Sequence, residues 1–279
     1  MQILISCAKD MSSREEVRVN YEVGEAEMMT WPGSRPMFME EAVEIAREMA
    51  GWSVQDIVKA MKCSEDIAVM NQMRFGQFGP NPESGFLLQA AAAYSGVAFK
   101  HLQMPTMSLD EMRYANGHLW IMSFLYGLLR PMDLILPYRM EGNVKLKVHD
   151  GKSMFDWWRE KLTGTLLQAI NADDGTLLWC STEEMKRMVD WKRLIREVKV
   201  IEPDFLVDKN GKLKSMSVYA KMCRGAMTRQ MIAAGAEERA TDTAQNHLLK
   251  RFQYEGFSFS HEGEKLSDIS KKLIYISQK

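Results

Sequence analysis

The sequence predicts an α+β fold: a single compact domain whose mixed, largely antiparallel sheet is flanked by helices. Strand-like and helical segments are mixed along the chain without a regular βαβ rhythm. The segments "EVKVIEPDFLV" and "KLKSMSVYA" flank Asp-Lys-Asn-Gly, which is a strong β-hairpin signal. No internal repeat, low-complexity block or linker divides the 279 residues, so we expect one domain spanning residues 1–279.

The first half of the chain predicts a strand followed by three helices. The expected elements are, in order, a short buried strand (2–6), helices at 37–50, 54–61 and 65–75, a turn-rich loop (79–85) and an ambiguous stretch (86–99). Ser53 and Ser64 are the expected N-caps of the second and third helices, and acidic residues follow each of them as the helix dipole prefers. The last stretch is ambiguous because its alanine run favours a helix and its ending "GVAF" favours a strand.

The second half adds longer helices and more strands. The expected elements are a capped helix (108–119), the buried segment "LWIMSF", a long helix (151–170), a strand (176–180), the hairpin, helices at about 220–233 and on to about 249, and the strand "FQYEGFSFS". Ser181 and Glu184 have the spacing of a capping box, so a helix is expected to begin after the strand at 176–180.

Composition limits the kinds of partner that the protein attracts. The formal net charge is −1, so no global field draws the molecule to nucleic acid or lipid, and a site for a polyanion must be local. The longest weakly polar run is too short and too polar to cross a bilayer, and no export signal is recognised.

The four cysteines are scattered without Cys-x-x-Cys spacing, which favours reduced thiols in the cytoplasm. The 23 methionines indicate adaptable core packing, with reversible oxidation as the alternative.

Motifs for common cofactors and metals are absent from the sequence. It has no Walker A loop, no Gly-x-Gly-x-x-Gly opening a helix, no His-Glu-x-x-His, no Gly-x-Ser-x-Gly and no EF-hand loop. The five histidines are spread along the chain without the spacing of metal ligands. We therefore predict neither a cofactor nor a metal site. Iron sequestration by the chain itself has no visible ligand cluster behind it.

The segment "SFLYGLLRPMDLILPYRMEG", residues 123–142, is the most informative stretch. Its apolar run carries Arg130 and Arg139, with Pro131 and Pro137 close to them. Prolines restrict the backbone, so this loop is expected to hold fixed positive charge on a stiff chain. An ion pair between Arg130 and Asp133 that holds the loop is the alternative interpretation.

Cationic and polar side chains at the ends of predicted elements are the candidates for a functional site. The candidates for nucleic-acid or anion binding are Ser6, Lys9, Asn71, Arg74, Tyr126, Arg130, Tyr138, Arg139, Ser181, Lys186, Lys221 and Arg224. Helical spacing places Lys221, Arg224 and Thr228 on one face, where Gly225 allows another backbone to approach closely. A solvated helix face for Lys221 and Arg224, and a solvated basic run around Lys186, are the alternatives.

The sequence resembles the YaaA family of bacterial peroxide-stress proteins over nearly its whole length. Six segments carry the resemblance in register: "ILISCAKDM", "MNQMRFGQF", "LYGLLRPMDLILPYRMEG", "MFDWWREKLTGTL", "KNGKLKSMSVYAKMCRGAMTRQMI" and "FQYEGFSF". The chain departs from the family pattern at Cys7, where the family has proline, and at Asp10, where it has threonine. It also departs in "WCSTEEMK", which keeps Ser181, Glu183 and Lys186 but loses an asparagine and a tyrosine.

The resemblance implies a YaaA-like domain with a positively charged cleft that binds DNA, including duplexes with irregularities. It also implies a bacterial stress response that limits iron-driven oxidative damage to DNA. A helix-hairpin-helix element is associated with the family fold, and residues 54–75 are the candidate here. This segment lacks the usual Gly-x-Gly hairpin, so its backbone amides approach a phosphate less easily.

Two functions remain open at this point, with a purely structural or partner-binding role as the remaining alternative. In the first, arginine and lysine side chains from separate segments line one groove and contact the phosphates of double-stranded DNA. In the second, an enzyme acts on a nucleotide-like or other anionic small molecule in the same cleft. The catalytic candidates are Lys9 or Lys221 as base or nucleophile, with Glu183 or Asp133 as the acid–base partner. No membrane partner is expected.

Overall fold

A nine-stranded mixed sheet organises the computed structural model, which describes residues 1–12, 16–17, 32–79, 87–237 and 242–278. Within these ranges the strands are Gln2–Ser6 (β1), Leu88–Gln89 (β2), Leu119–Ser123 (β3), Gly127–Leu129 (β4), Leu134–Ile135 (β5), Thr176–Cys180 (β6), Lys199–Lys209 (β7), Lys212–Ser215 (β8), Gln253–Tyr254 (β9), Phe257–Lys265 (β10) and Lys271–Ser277 (β11). The α-helices are Met39–Ala50 (α1), Val54–Met61 (α2), Glu65–Gly76 (α3), Ala90–Ala93 (α4), Val97–Leu102 (α5), Leu109–His118 (α6), Met154–Asn171 (α7), Trp191–Glu197 (α8), Ser217–Ala236 (α9) and Asp242–Arg251 (α10).

Parallel strands form the centre of the sheet and antiparallel strands extend it at the edges. The strand order is β4-β3-β1-β6-β7-β11-β10-β9, with β8 paired to part of β7. The five strands from β3 to β11 in this order run parallel, whereas β4, β8, β9 and β10 pair antiparallel. This confirms the predicted mixed sheet flanked by helices in a single α/β domain, while the boundaries 1–279 stay a prediction.

The central strands β1, β3 and β6 are mostly apolar because they are buried on both faces. β1 pairs with β3 on one side and β6 on the other, and all five residues of β3 and of β6 are buried. Most methionines of the described chain fill this interior; Met122, Met154 and Met188 are fully buried. Methionine therefore serves mainly as core packing, although Met70 and Met73 of α3 are exposed.

The close approach expected at Gly225 is confirmed. A Cβ atom on this residue of α9 would lie 2.0 Å from the carbonyl oxygen of Ala98 in α5. The two helices therefore touch backbone to backbone, which only glycine permits. The predicted hairpin is also confirmed, because Asn210 (φ 55°) and Gly211 (φ 79°) form the left-handed turn between β7 and β8.

Two local predictions were wrong. "FQYEGFSFS" is not one strand, because Glu255 (φ 51°) and Gly256 (φ 83°) make a tight turn between β9 and β10. The Ser181–Glu184 capping box does not form, and a 3-10 helix starts at Glu184 instead. Residues 87–99 contain both a short strand and helical turns, whereas the expected loop at 79–85 lies, apart from Gly79, outside the described residues.

The helices α2 and α3 occupy the segment considered for a helix-hairpin-helix element. Lys62, the residue after α2, adopts a left-handed conformation (φ 50°), and Ser64 is the N-cap residue that precedes α3. The two helices are thus present, and their assignment as a DNA-binding hairpin stays a prediction. No helix within the described parts of the chain has the length and apolar character needed to span a membrane.

Candidate functional site

A pocket opens where the parallel strands β1, β3 and β6 end. Because these strands run in the same direction, their carboxyl ends lie at one edge of the sheet. The chain continues from β1 to β3 on one side of β1 and later to β6 on the other side, so the loops diverge and leave a crevice. The crevice holds a cavity of about 330 Å³, which we call the carboxyl-edge pocket.

Four parts of the chain and two helices contribute to the carboxyl-edge pocket. Its walls are residues 5–10, 96–99, Phe124, 138–140, Cys180, Thr182, 184–185, Lys221 and Arg224. Lys221 and Arg224 come from the first turns of α9, and residues 97–99 come from α5. The contact at Gly225 therefore sets the distance between two walls of the pocket.

Four of the predicted cations meet in this pocket. Lys9, Arg139, Lys221 and Arg224 all line it, together with the carboxylates of Asp10 and Glu184. Lys9 donates to both carboxylate oxygens of Glu141 at 2.7 and 2.9 Å, and Arg139 lies 3.4 Å from the same carboxylate. Lys221 is exposed and has no carboxylate partner within the described ranges. The pocket thus gathers more positive than negative side chains, as a site for an anion requires.

The guanidinium groups of the pocket have hydrogen-bonding capacity to spare. The Nε atoms of Arg139 and Arg224 and the hydroxyl oxygen of Thr182 are buried and have no partner in the described structure. Burial lowers the pKa of Arg224 because it outweighs the attraction of the carboxylates of Asp204 and Glu202. An anion in the pocket would accept from these donors and offset the free energy of desolvating them.

Two polar contacts position the walls of the pocket. The side-chain amide of Asn71 accepts from the backbone amide of Arg139 at 2.8 Å and donates to its carbonyl at 2.7 Å. The hydroxyl of Ser6 lies 2.7 Å from that of Ser181 and accepts from the backbone amide of Thr182 at 3.1 Å. Asn71, Ser6 and Ser181 therefore hold the loops in place, and Asn71 and Ser181 do so from outside the pocket lining.

Tyr138, Cys7 and Cys180 line the pocket, and we call this part of the lining its floor. Tyr138 lies 2.6 Å from the hydroxyl of Ser123 and 2.8 Å from that of Tyr94. Burial raises the pKa of both tyrosines well above the ordinary value, and it raises the pKa of Cys7 and of Cys180 to about 12. These groups stay protonated at neutral pH, so they offer hydrogen bonds and not a base or a nucleophile.

Arg130 lies at the opposite edge of the sheet, which corrects the expectation that it shares a groove with Arg139. β4 runs antiparallel to β3, so the residue that follows β4 returns to the beginning of β3. The guanidinium carbon of Arg130 lies 3.3 Å from the ring centroid of Trp120, and the group donates to the carbonyl of Leu119. Asp133 is buried and accepts from the backbone amide of Arg130, so it stabilises this turn and lies away from the pocket.

Other predicted residues also have structural partners outside the pocket. Lys186 is buried and forms ion pairs with Glu202 at 2.8 Å and with Glu183 at 2.6 Å. The positive charge of Lys186 is therefore already paired, and so is the carboxylate of Glu183. Tyr126 is buried and accepts from the backbone amide of Leu136. Arg74 is partly buried on α3, one turn from Asn71, and does not line the pocket.

Sequence reasoning missed several pocket residues. Asp10, Glu184 and Thr182 lie in the loops after β1 and β6, where their role depends on which strands are neighbours. Residues 96–99, which belong to the ambiguous stretch, form a wall of the pocket because Gly225 of α9 allows them to pack closely against this helix. Within the described ranges, no three His, Cys, Asp or Glu side chains are grouped as ligands for a metal ion.

Comparison with known sequences agrees with the resemblance. A family model described as "Peroxide stress protein YaaA" matches residues 1–263, a range that includes every segment lining the pocket. A UPF0246 protein of Phocaeicola vulgatus is 41% identical over 259 residues, which cover 93% of this chain and 94% of that protein. A UPF0246 protein of Bacteroides fragilis is 40% identical over 274 residues, which cover 98% of each chain. A UPF0246 protein of Dinoroseobacter shibae is 40% identical over 201 residues, which cover 71% of this chain and 73% of that protein.

Proposed function

Because this chain belongs to the YaaA family of peroxide stress proteins, we propose that it binds DNA in the cytoplasm during peroxide stress and so limits iron-driven oxidative damage. One observation carries the DNA-binding part of this proposal. Lys9, Arg139, Lys221 and Arg224 come from three separate segments of the chain and line one pocket. Such convergence of cations is what a phosphate-binding surface needs in a molecule whose net charge is close to zero.

The size of the pocket decides which part of the DNA it receives. A volume of about 330 Å³ is at the small end of the range for small-molecule sites, and it is far too small for a duplex. One nucleotide unit is the largest piece of DNA that it takes. We therefore propose that the pocket receives an unpaired or displaced nucleotide, whose extrusion costs least where the duplex is already irregular.

The chemistry of the pocket walls supports this assignment. Arginine donates in a planar fork that matches a phosphate, and Arg139 and Arg224 both have a buried Nε atom without a partner. Lys9 and Lys221 are exposed at the rim, where they would contact the phosphates on either side of the inserted nucleotide. Recognition is expected to depend on the phosphate backbone of the DNA and on the irregularity of the duplex, since these side chains contact phosphate groups and not base edges.

A binding experiment tests this function directly. A duplex with one unpaired nucleotide and the fully paired duplex are titrated by fluorescence anisotropy at several salt concentrations. We expect tighter binding of the irregular duplex, and we expect Lys221→Gln combined with Lys9→Gln to lower both the affinity and the salt slope, the latter by about 1 to 2. Lys192→Gln combined with Arg196→Gln is the matched control, because both side chains are exposed on α8 outside the pocket. The proposal would be wrong if the wild-type affinity did not change with salt concentration, or if the double variant bound like the control.

An enzyme that acts on a free nucleotide-like anion is the second candidate. The small volume of the pocket favours it, since a small molecule fills such a volume without DNA attached. Of the catalytic candidates, Asp133 lies elsewhere, Glu183 is paired with Lys186, and Lys9 is held by Glu141. Lys221 remains as the reactive group, with Glu184 in place of Glu183 as the nearby carboxylate. Calorimetric binding of 2′-deoxyadenosine 5′-monophosphate, without measurable binding of either duplex, would favour this candidate.

A further inference from the structure

The β7–β8 hairpin extends beyond the edge of the sheet at which the pocket opens. Leu178 of β6 pairs with Ile201 of β7, so the end of β6 at Cys180 lies level with Pro203. From that level to Lys209, β7 continues for about 20 Å at the usual rise of a strand. The hairpin tip therefore stands well above the floor of the pocket.

The hairpin also lies on the pocket side of β7. Val207 pairs with Ser277 of β11 on one edge and with Lys214 of β8 on the other. β6 and β8 therefore pair with the same edge of β7, β6 with the first residues of β7 and β8 with the last. The loop that carries Thr182 and Glu184 follows β6, so β8 lies beyond this loop along β7. α9 begins at Ser217, two residues after β8 ends at Ser215, and brings Lys221 to the pocket.

Three lysines of the hairpin point to the same face of the sheet. Lys212 is opposite Lys209 and Lys214 is opposite Val207, so alternation of side chains places all three lysines on one face. The same alternation places Cys180 on that face, where it lines the pocket together with Lys221 and Arg224 of α9. The three lysines therefore share their face with α9 and the pocket.

The three lysines are also available to a ligand. Lys209, Lys212 and Lys214 are exposed, and none of them is paired with a carboxylate in the described parts of the chain. The neighbouring Asp208 points to the opposite face, and its carboxylate accepts from the backbone amide of Gly211 in the turn. The charge of the hairpin is thus uncompensated on the pocket side.

We propose that Lys209, Lys212 and Lys214 form a second DNA-binding surface, the hairpin surface, which contacts the phosphate backbone of the duplex next to the nucleotide held in the pocket. This inference rests on the proposed function, because a free nucleotide would not extend to the hairpin. It explains how a pocket of one-nucleotide size serves a duplex: the duplex lies against exposed lysines outside the pocket. Since lysine presents a point charge, the surface is expected to be insensitive to base sequence.

The test compares three charge-neutralised variants in salt-dependent titrations of the duplex with one unpaired nucleotide. The hairpin variant carries Lys209→Gln, Lys212→Gln and Lys214→Gln; the matched control carries Lys152→Gln, Lys192→Gln and Arg196→Gln, which lie outside the pocket and the hairpin. The third is the pocket variant, Lys9→Gln with Lys221→Gln. We expect the hairpin variant to bind on the order of tenfold more weakly at about 50 mM salt and to reduce the salt slope by about 2 to 3, with the control unchanged. All four residues of β8 are exposed, so the variant is expected to keep its fold, which circular dichroism checks.

The outcomes separate this inference from the proposed function. If the pocket variant weakens binding and the hairpin variant does not, the hairpin surface is wrong and the proposed function stands. If the hairpin variant and the control lose the same affinity, the effect is one of net charge, and the hairpin surface is again wrong. If the wild-type protein shows no salt-dependent binding of the duplex, the proposed function itself fails.

Discussion

Asn71 and Arg139 exchange two hydrogen bonds although 68 residues separate them in the chain. The side chain of Asn71 satisfies both the amide and the carbonyl of Arg139, as a neighbouring strand would. Asn71 is fully buried on α3, so the buried face of this helix holds the backbone of Arg139 in place. This contact gives an asparagine that lies outside the pocket lining a direct influence on the pocket.

Asn71→Leu is therefore expected to affect both stability and binding. The substitution keeps the side-chain volume but leaves the buried amide and carbonyl of Arg139 without partners, which costs about 1–3 kcal/mol for each group. Urea unfolding is expected to show a loss of a few kcal/mol, and the affinity for the irregular duplex is expected to fall as Arg139 shifts. Met73→Ala is the control on the exposed face of the same helix, with an expected change within about 0.5 kcal/mol. Unchanged stability in Asn71→Leu would show that the two hydrogen bonds do not hold the loop.

Gly225→Ala is expected to disrupt the pocket through its backbone. The new Cβ atom would lie 2.0 Å from the carbonyl oxygen of Ala98, so α5 and α9 must separate. Overpacking of this kind destabilises by about 1–3 kcal/mol or more, and it moves the two walls of the pocket apart. Gly164→Ala in α7 is the matched control: its Cβ would meet nothing within 4 Å, so helix propensity predicts a gain of up to about 1 kcal/mol. Thermal unfolding of both variants checks the difference, and equal melting temperatures would contradict the tight contact.

All four cations that line the pocket were among the candidates from the sequence, because they lie in or next to elements that the sequence marks clearly. Lys9 follows an apolar strand, and helical spacing places Lys221 and Arg224 on one face beside Gly225. Arg130 was expected in the same groove as Arg139, but the short strand β4 turns back along β3 and carries Arg130 to the far edge of the sheet. Three residues of strand leave too little pattern to reveal that reversal.

The order of the strands in the sheet could not be predicted from the sequence, because neighbouring strands lie far apart in the chain. β7 pairs in parallel with β11, although more than 60 residues separate them, and the register depends on packing of both faces. The turn at Glu255 and Gly256 was overlooked because aromatic alternation continues on both sides of it. The partners of Lys186 were equally hidden, since Glu202 reaches it from β7.

Arg130→Met is expected to lower stability and to leave DNA binding unchanged. The guanidinium stacks on Trp120 and donates to the carbonyl of Leu119, and losing both contacts is expected to cost about 1–3 kcal/mol. The residue is remote from the pocket, so the affinity and the salt slope for the irregular duplex are expected to match the wild type. Arg139→Met, measured in the same titration, is expected to weaken binding. A loss of affinity in Arg130→Met at temperatures where the protein is folded would restore Arg130 to the binding surface.

The thiol of Cys7 is expected to resist peroxide even though it lines the pocket of a peroxide-stress protein. Burial raises its pKa to about 12, so the reactive thiolate is scarce at neutral pH. Cys180 has a pKa raised to about 12 for the same reason. Mass spectrometry after brief peroxide treatment is expected to find Cys7 and Cys180 unoxidised in the native protein and oxidised when the protein is unfolded in urea. Rapid native oxidation of Cys7 would instead indicate a redox role for the pocket.

The carboxylate of Glu262 is expected to make part of the stability dependent on pH. Lys250 and then Lys271 donate to it at 2.7 Å and lower its pKa to about 2. A lowered pKa means that the carboxylate stabilises the fold above its ordinary pKa of about 4.3, and that this stabilisation is lost as the pH falls towards 2. Because Glu262 is 43% exposed, solvent screening limits the effect of Glu262→Gln at pH 7 to about 1 kcal/mol or less. Urea unfolding between pH 7 and about pH 3 is expected to show this difference shrinking below pH 4.3, whereas Glu264→Gln, on the same strand but 71% exposed, is expected to change little at any pH. A difference that grew towards acid pH would contradict the ion pairs that join α10 and β11 to β10.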